Sequence, residues 1–531
     1  MGSLATLFIP ERQDPVRHAP FLIFLCSVIL LFSPAPVRAQ TNANIASQFN
    51  LLDAVRATLT SDPVIKLEEK NVKLSRGILQ QASGQFDTTL RAAVERSRDY
   101  QAFLAPGTPN VFTRFRQDDT AYRVSADKQL RSGILLSPGI EFDRLADNTG
   151  QDTLNRGSLN FLIQVPLARG LGAKATAAAE RAARLDWEAS NLNLRHTLSL
   201  RVFNTTVAYW NYVAASQRLK IIGDSEKRAE RLVAQVQALV KADEQPEAEL
   251  DQLIANFANT TASRLSAEQA LMEARNQLGI SIGTPFAEIF KIALPSDRLP
   301  EYKADLLPPE TDVQKLCSLA LTHRQDIAAA AKSQQSAAAL VTAAKNGLKP
   351  RVDLTLKGGY AGAEGGSRSS QFFTPFGENI QGANGFAGLS FEFPPANNSA
   401  RGIYAQREAI YESSVIRTQE LTRSTQADVY VGLERLRSGA QQLGKSLQAT
   451  QLYDKAVVNE KVKLSLSTAT IIDVLTLEDR LTAASLNYIS AQNDYSTAVV
   501  RLRFLTGTIL TETNNVQSLN LESLTTIPKF E

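Results

Sequence analysis

The stretch from Ser467 to Leu505 reads STATIIDVLTLEDRLTAASLNYISAQNDYSTAVVRLRFL, and its apolar residues recur in alternating steps of four and three. This spacing places one apolar stripe along a helix, which is the seam of a coiled coil. The sequence therefore predicts a long helix that packs against other helices over about four heptads. The seam residues are Leu477, Leu481, Ala484, Tyr488, Ala491, Tyr495, Ala498, Leu502 and Leu505.

A weaker seam with the same spacing lies in the first half of the chain. Alanine is common in both seams, and small residues let helix backbones approach closely while each buries little apolar surface. We therefore expect each helix to need neighbours on both sides. The weaker seam consists of Leu250, Leu253, Phe257, Thr260, Arg264, Ala267, Leu271, Ala274 and Leu278.

Two further segments, Ala173 to Val240 and Ser399 to Ser467, predict the longest helices. At 1.5 Å per residue each reaches about 100 Å, which is more than one globular core requires. An ordinary antiparallel helical bundle remains open as an interpretation of the helices alone.

The chain repeats one unit at a very long period. A helical stretch containing Leu59 to Ile65 opens the first copy, and Leu321 to Ile327 stands at the matching place in the second. The predicted division is a signal peptide 1–39, a first repeat 40–284, a proline-rich linker 285–311, a second repeat 312–507 and a C-terminal segment 508–531.

Apolar and polar residues alternate in two segments of each repeat, which predicts strands with one apolar face. Loops rich in glycine, proline and polar residues, 105–118 and 362–385, separate the strands of each pair. Residues 120–145 alternate as well and predict an additional hairpin, whose relation to the other strands stays open. The four predicted strand segments are 88–94, 159–165, 352–356 and 387–393.

The N-terminus has the order of a secretory signal peptide. Basic residues precede an apolar stretch from Phe21 to Phe32, and Val37-Arg38-Ala39 follows, which predicts cleavage after Ala39. About 12 apolar residues are too few for a membrane span of about 20. No apolar run of about 18 residues follows Gln40, so the sequence predicts no transmembrane helix.

Composition excludes several classes of function. The formal net charge is +3 and aromatic residues make up 7%, so no nucleic acid is expected as a partner. Cys26 lies in the predicted leader, which leaves Cys317 without an intramolecular disulfide partner. No catalytic constellation stands out, and we predict no enzyme, no cofactor and no metal site.

A secreted chain with half-apolar strands and no transmembrane helix fits a membrane β-barrel. Four strands suit only a small barrel wall, so we expect several chains to share one barrel of strands and one tube of helices. The predicted fold class is mainly α with a membrane β-barrel portion, long antiparallel coiled-coil helices and an internal duplication.

Three segments resemble the TolC family of outer-membrane efflux proteins. The segment Gln164 to Gly172 is similar to the family's strand end, and Ser467 to Leu481 is similar to its helix-turn-helix at the periplasmic end. The equivalent first turn is Lys241 to Pro246, and Pro246 suits the first turn of a helix. The resemblance extends over essentially the whole mature length, and two turns in register are more specific than either alone.

The resemblance implies a homotrimer in the outer membrane of a Gram-negative bacterium. Each chain would give four strands to one barrel, and the helices would form a tunnel across the periplasm. Asn42 to Asn50, Pro285 to Pro309 and Thr508 to Glu531 would pack around its middle. The implied function is the channel of a tripartite efflux or type I secretion system, which passively conducts substrates from an inner-membrane pump.

The resemblance also implies partners: outer-membrane lipid, a periplasmic adaptor (membrane fusion protein), and an inner-membrane RND, ABC or MFS pump. Two helical turns would contact the adaptor. Their residues are Lys241, Ala242, Asp243, Glu244, Gln245 and Pro246 in the first, and Ser467, Thr468, Ala469 and Thr470 in the second.

Asp473 is the candidate gate and selectivity residue, because the family has an acidic position in this Asp-Val-Leu stretch at the constricted pore end. Threefold symmetry would bring three carboxylates together, which attract cations and raise each other's pKa. The alternative is an acidic residue favoured by the dipole in the first turn of a helix.

The chain departs from the best-known members at Ala469, Leu464 and Thr476, where a basic residue, a tyrosine and a second acidic residue can stand. Their salt-bridge lock is therefore not expected, and closure would depend more on helix packing. The neighbouring Glu478, Asp479 and Arg480 predict a solvated helix face. The competing hypothesis for the whole chain is a periplasmic coiled-coil adaptor or structural protein without a pore.

Overall fold

The computed structural model describes residues 49–104, 112–148, 153–242, 247–301, 313–377, 380–466, 468–510 and 524–527. The predicted signal peptide therefore lies outside the described residues. No described helix combines the length and the apolar character needed to cross a membrane.

Most described residues are helical. Helix α4 has 64 residues and α9 has 68, as their unbroken sequences predict. The helices are α1 Leu51–Ser61, α2 Pro63–Ser83, α3 Ala173–Thr176, α4 Ala178–Lys241, α5 Glu247–Ser281, α6 Phe286–Ile289, α7 Val313–His323, α8 Gln325–Gly347, α9 Asn398–Ser465 and α10 Ile471–Leu505.

The strands form one antiparallel sheet in which every strand pairs with the next along the chain. Strand β4, the last in the predicted first repeat, pairs with β5, the first in the predicted second repeat, and so joins the two. The strands are β1 Thr89–Leu104, β2 Phe112–Gln129, β3 Leu135–Asp147, β4 Leu154–Pro166, β5 Arg351–Gly365 and β6 Ile380–Glu392.

The expectation of four strands per chain is wrong, because the described residues contain six. The additional hairpin predicted at 120–145 belongs to the same sheet, since its two halves are parts of β2 and β3. The predicted loop 105–118 is too long, because β2 already begins at Phe112. Charged residues lie on both faces of the first half of β2, so this half lacks the apolar alternation that would predict a strand.

The turn between β2 and β3 packs against the helices. Arg131 donates two hydrogen bonds to the Glu180 carboxylate on α4, at 2.7 and 2.8 Å, and Gly172 N donates to Ser132 O at 2.9 Å. Gly133 has a φ of 98°, and a Cβ there would lie 2.1 Å from Gly170 O, so only glycine fits this turn. The turn therefore fixes the sheet to the start of α4.

The coiled-coil seam of the last helix is confirmed. Ala491, Tyr495, Ala498, Leu502 and Leu505 of α10 are buried in one apolar core. Their partners on α9 are fully buried and share the same short spacing: Leu433, Leu436, Ala440 and Leu443.

The same junction occurs once in each repeat. Gly283, after α5, has φ 73°, and a Cβ there would lie 2.8 Å from Ser61 O at the α1–α2 break. Gly507, after α10, has φ 71°, and a Cβ there would lie 2.8 Å from the carbonyl carbon of His323 at the α7–α8 break. A left-handed glycine thus closes each helical hairpin onto the break in the repeat's first helix.

Parts of the three segments expected around the middle of the helices are described. Ile292, Leu299, Ile509 and Leu524 are buried in one core with α1 and α4. The Tyr209 hydroxyl of α4 lies 2.9 Å from an Asp297 carboxylate oxygen, and burial raises the pKa of this tyrosine. These four residues therefore pack beside the first long helix, α4, whereas Ile527 is buried in the core that α9 and α10 form.

Candidate functional surfaces

The sheet has an apolar face that extends across all six strands. On it, Leu90, Leu389 and Phe391 keep 77%, 68% and 70% of their surface exposed, although leucine and phenylalanine are normally buried. A contiguous exposed patch of this kind marks a contact surface. We call this surface the apolar face; it comprises Leu90, Val94, Val124, Ile140, Leu159, Phe161, Leu354, Leu356, Leu389 and Phe391.

The opposite side of the sheet, the polar face, carries an excess of acidic residues. The Arg123 guanidinium donates to the carboxylates of Glu95 and Glu141, and Arg91 donates to Asp127. The register places the acids Glu95, Asp99, Asp119, Asp127, Glu141, Asp143, Asp147, Asp353 and Glu392 on this face, with the bases Arg91, Arg123, Arg156, Arg351 and Lys357.

The sheet is open at both edges in the described residues. Strand β1 pairs only with β2, and β6 pairs only with β5. Each edge therefore presents a row of backbone N–H and C=O groups that can pair with another chain. Because β1 leaves the helices and β6 returns to them, these two edges run in opposite directions.

The helical part also has two outer helices, and each of them is continuous with an edge strand of the sheet. Helix α2, which leads into β1, packs on α4, and α4 packs on α8, which packs on α9. Helix α9 follows β6 directly. Apolar side chains are exposed on both outer helices: Leu67, Leu74 and Ile78 on α2, and Ile403, Ile410, Ile416 and Val431 on α9.

The second predicted turn is ordered around a reciprocal cap. Asp473 N donates to Thr470 Oγ1 at 3.2 Å, while the Asp473 carboxylate accepts from Thr470 N at 2.9 Å and from Thr470 Oγ1 at 2.7 Å. These hydrogen bonds lower the pKa of Asp473. Thr468 N donates to Lys463 O at 2.9 Å, Ala469 precedes the cap, and Ser467 lies outside the described residues. Asp473 is exposed.

The first predicted turn is described only in part. Lys241 is the last residue of α4, and Ala242 N donates to Ala238 O at 3.2 Å. Asp243, Glu244, Gln245 and Pro246 lie outside the described residues.

The structure brings the ends of the two hairpins together. Val236 of α4, Leu253 of α5 and Leu475 of α10 form one buried apolar cluster beside the turns. Asp473 lies two residues before Leu475, so the two turns share one end of the helices.

The solvated helix face predicted for Glu478, Asp479 and Arg480 is wrong for Glu478, whose side chain is 13% exposed. The Lys461 ammonium of α9 lies 2.6 Å from its Oε1, and Arg228 Nε of α4 lies 3.8 Å from its Oε2.

Glu478 is thus a carboxylate of α10 that connects both hairpins. The spacing of residues along α10 did not predict this contact, because the two cations belong to other helices. In addition, Asn256 of α5 donates to Asp479 at 3.1 Å.

Comparison with known proteins gives a consistent fold. No protein-family model and no curated relative matches the chain. The Campylobacter jejuni CmeC outer membrane channel is 13% identical, with a TM-score of 0.64 over 93% of this chain and 94% of that one. The outer-membrane channel OprN is 15% identical, with a TM-score of 0.63 over 86% and 89%.

The chain has the TolC-like fold of outer-membrane channels. The open-state Neisseria gonorrhoeae MtrE outer membrane channel also matches, at 16% identity and a TM-score of 0.62 over 86% of this chain and 88% of that one. The resemblance predicted from the two turns and the strand end is therefore confirmed at the level of the fold. The matched proteins are channels and not enzymes.

Proposed function

We propose that three copies of this chain form an outer-membrane channel that passively conducts substrates delivered by an inner-membrane pump. The observation that carries the proposal is the sheet, which has one apolar face, one polar face and two open edges of opposite direction. Such a sheet satisfies its backbone within lipid only when its edges pair. The apolar face would contact lipid and the polar face would line water.

The two edges fit each other. The row of paired residues that begins at Leu90, near the helical end of β1, ends at Gly385, which lies farther from the helical end of β6. The row therefore slants toward the end of the sheet that lies away from the helices. Placing the helical end of β1 of one copy beside the helical end of β6 of the next brings Ala92 opposite Leu389. Both side chains then lie on the apolar face, as a continuous sheet requires.

Six strands from each of three copies give a ring of eighteen strands, where four from each would give twelve. Because ring diameter grows roughly linearly with strand number, the eighteen-stranded ring is about 1.5 times as wide. Rings of 16–18 strands leave an aqueous passage. The excess of carboxylates on the polar face would favour cations within this passage.

The helices would continue the passage through the periplasm to the two turns. There three Asp473 carboxylates would meet, and their mutual repulsion would raise the pKa of each. The hydrogen bonds of the helix cap have the opposite effect within one copy, since they lower this pKa. Lys241 to Pro246 and Ser467 to Thr470 would contact the periplasmic adaptor. We thus propose a trimer in the outer membrane that works within a tripartite efflux or type I secretion system.

Envelope fractionation followed by planar-bilayer recording tests the proposal. We expect the mature protein in the outer-membrane fraction, recovery in detergent as a trimer, and discrete conductance steps after reconstitution. A soluble periplasmic monomer without conductance would instead favour an adaptor or structural protein.

A further inference from the structure

In strands β1 to β3 the charges are segregated between the two faces of the sheet near its outer end, which is the end away from the helices. On the polar side Asp99, Asp119, Asp143 and Asp147 are acidic. On the apolar side the charged residues of β1 to β3 at the same end are Arg96, Arg98, Arg114, Arg116 and Arg144, with the single acid Asp118. We call these five arginines the arginine belt.

The belt begins where the apolar face ends. One row of paired residues joins Arg96, Thr120, Arg144 and Asn155 and ends on β5 at the acidic Glu364. The next row toward the helices joins Val94, Tyr122, Phe142 and Gly157. The rows below that one contain apolar residues on all six strands, apart from Lys128 at the helical end. The change from apolar to basic therefore occurs between two adjacent rows.

Aromatic rings lie at this boundary. Phe372 packs edge-on against Tyr122 at 5.1 Å between ring centroids, and Phe373 packs against Phe142 at 5.3 Å. The Arg144 guanidinium lies 5.0 Å from the centroid of Phe372 and donates to Asn155 Oδ1 at 2.7 Å. Aromatic girdles mark the interface between hydrocarbon and headgroups on membrane sheets.

Among the described residues, the belt has fewer carboxylate partners than guanidinium groups. Asp118 accepts from Arg98 at 2.5 Å, and Arg116 Nε lies 3.5 Å from the same carboxylate. One carboxylate thus serves two guanidinium groups. No salt bridge joins Arg96, Arg114 or Arg144 to a carboxylate among the described residues.

From this arrangement we infer that the arginine belt binds the phosphate groups of lipid headgroups at the outer edge of the membrane. Guanidinium groups bind phosphate oxygens through paired N–H donors. Neighbouring strands are about 4.8 Å apart, so Arg96 and Arg144, two strands apart, are separated by about 10 Å. Several headgroups can therefore lie along the belt while their chains cover the apolar face. The inference rests on the proposed insertion of the sheet into a membrane.

The test variant is Arg96→Gln/Arg116→Gln, which removes two charges from the belt and leaves the Arg98–Asp118 pair in place. The matched control is Arg156→Gln/Lys357→Gln, which removes two charges from the polar face. Each protein is purified as the detergent-solubilised assembly, and bound lipid is counted by native mass spectrometry with phosphatidic acid or phosphatidylcholine. Inorganic phosphate is titrated in a separate arm.

We expect the belt variant to bind phosphatidic acid about thirtyfold more weakly, because two basic residues near a membrane surface together contribute about 2 kcal/mol toward anionic lipid. The control should bind it like the parent, and phosphatidylcholine binding should be weak for all three. Equal losses in both variants, no loss in either, or equally strong binding of inorganic phosphate would overturn the inference. A protein that conducts but does not select phosphatidic acid would contradict lipid binding by the arginine belt and leave the proposed channel function standing. A protein that selects phosphatidic acid but does not conduct would contradict the proposed channel function alone.

Discussion

The Glu478 carboxylate on α10 lies 2.6 Å from the Lys461 ammonium on α9, within the same hairpin. Its second oxygen lies 3.8 Å from Arg228 on α4, in the other hairpin. This carboxylate is therefore positioned to hold the two hairpins together close to their turns.

Replacing Glu478 with Gln should loosen the hairpin ends, because both cations lose their partner. Lys461 is half exposed, so we expect a cost of only about 1 kcal/mol in stability but a higher conductance of the proposed channel in its closed state. Single-channel recording at low voltage measures this. The control is Glu460→Gln, which removes an ion pair with Lys463 inside α9. Equal conductance in both variants would contradict a bridging role for Glu478.

Asp473→Asn should weaken the block or selectivity of the proposed channel for cations, because it removes three charges from the proposed constriction. Asparagine can still accept hydrogen bonds from Thr470. Thr470→Ala is the control, since it weakens the helix cap by about 1 kcal/mol and keeps the charge. Planar-bilayer currents with divalent cations distinguish the two. If both variants behave alike, Asp473 acts as a cap and not as a pore residue.

The unfolding stability should fall as the pH drops below about 6.5, the ordinary pKa of histidine. Burial lowers the pKa of His196 in the folded state, although Asp326 opposes this shift. A depressed pKa means that the folded state resists protonation, so its stability is complete above the unfolded pKa and decreases with acidification. Thermal unfolding at pH 7.5 and 5.5 should show this decrease, and His196→Gln should reduce it. An unchanged difference would exclude His196 as its source.

Gly283→Ala and Gly507→Ala should each destabilise the fold by about 2 kcal/mol or more, because alanine disfavours their left-handed backbone and its Cβ meets the chain. Gly223→Ala is the matched control in the interior of α4, where nothing lies within 4 Å of the added Cβ. It should stabilise the helix by about 0.5–1 kcal/mol. Chemical denaturation of the three variants measures the contrast, and a neutral result at Gly283 or Gly507 would contradict the proposed junction.

The helical part of the fold follows from the sequence because its signals are local. The seam from Leu477 to Leu505 determines which side of α10 is buried, and Asp473 stands three residues after a threonine that caps the same helix. Each of these relations lies within a few turns of one segment.

Relations between segments were harder to predict. The outer half of β2 is charged on both faces, and only its pairing with Arg98 and neighbouring residues of β1 identifies it as a strand. The sequence of α10 predicts a solvated Glu478, whereas residues from two other helices cover it. Strand number and hairpin contacts therefore required the three-dimensional structure.

The pairing of β1 with β6 of a neighbouring copy is tested most directly by disulfide cross-linking. With Cys317 of the mature protein replaced by serine, Ala92→Cys is combined with Leu389→Cys. The control on the opposite face is Ala93→Cys with Leu389→Cys. We expect a covalent ladder up to the trimer for the first pair, since directly opposite residues have Cβ atoms about 4.5–5.5 Å apart, and no ladder for the control. Monomers alone for the first pair, or equal ladders for both, would contradict it.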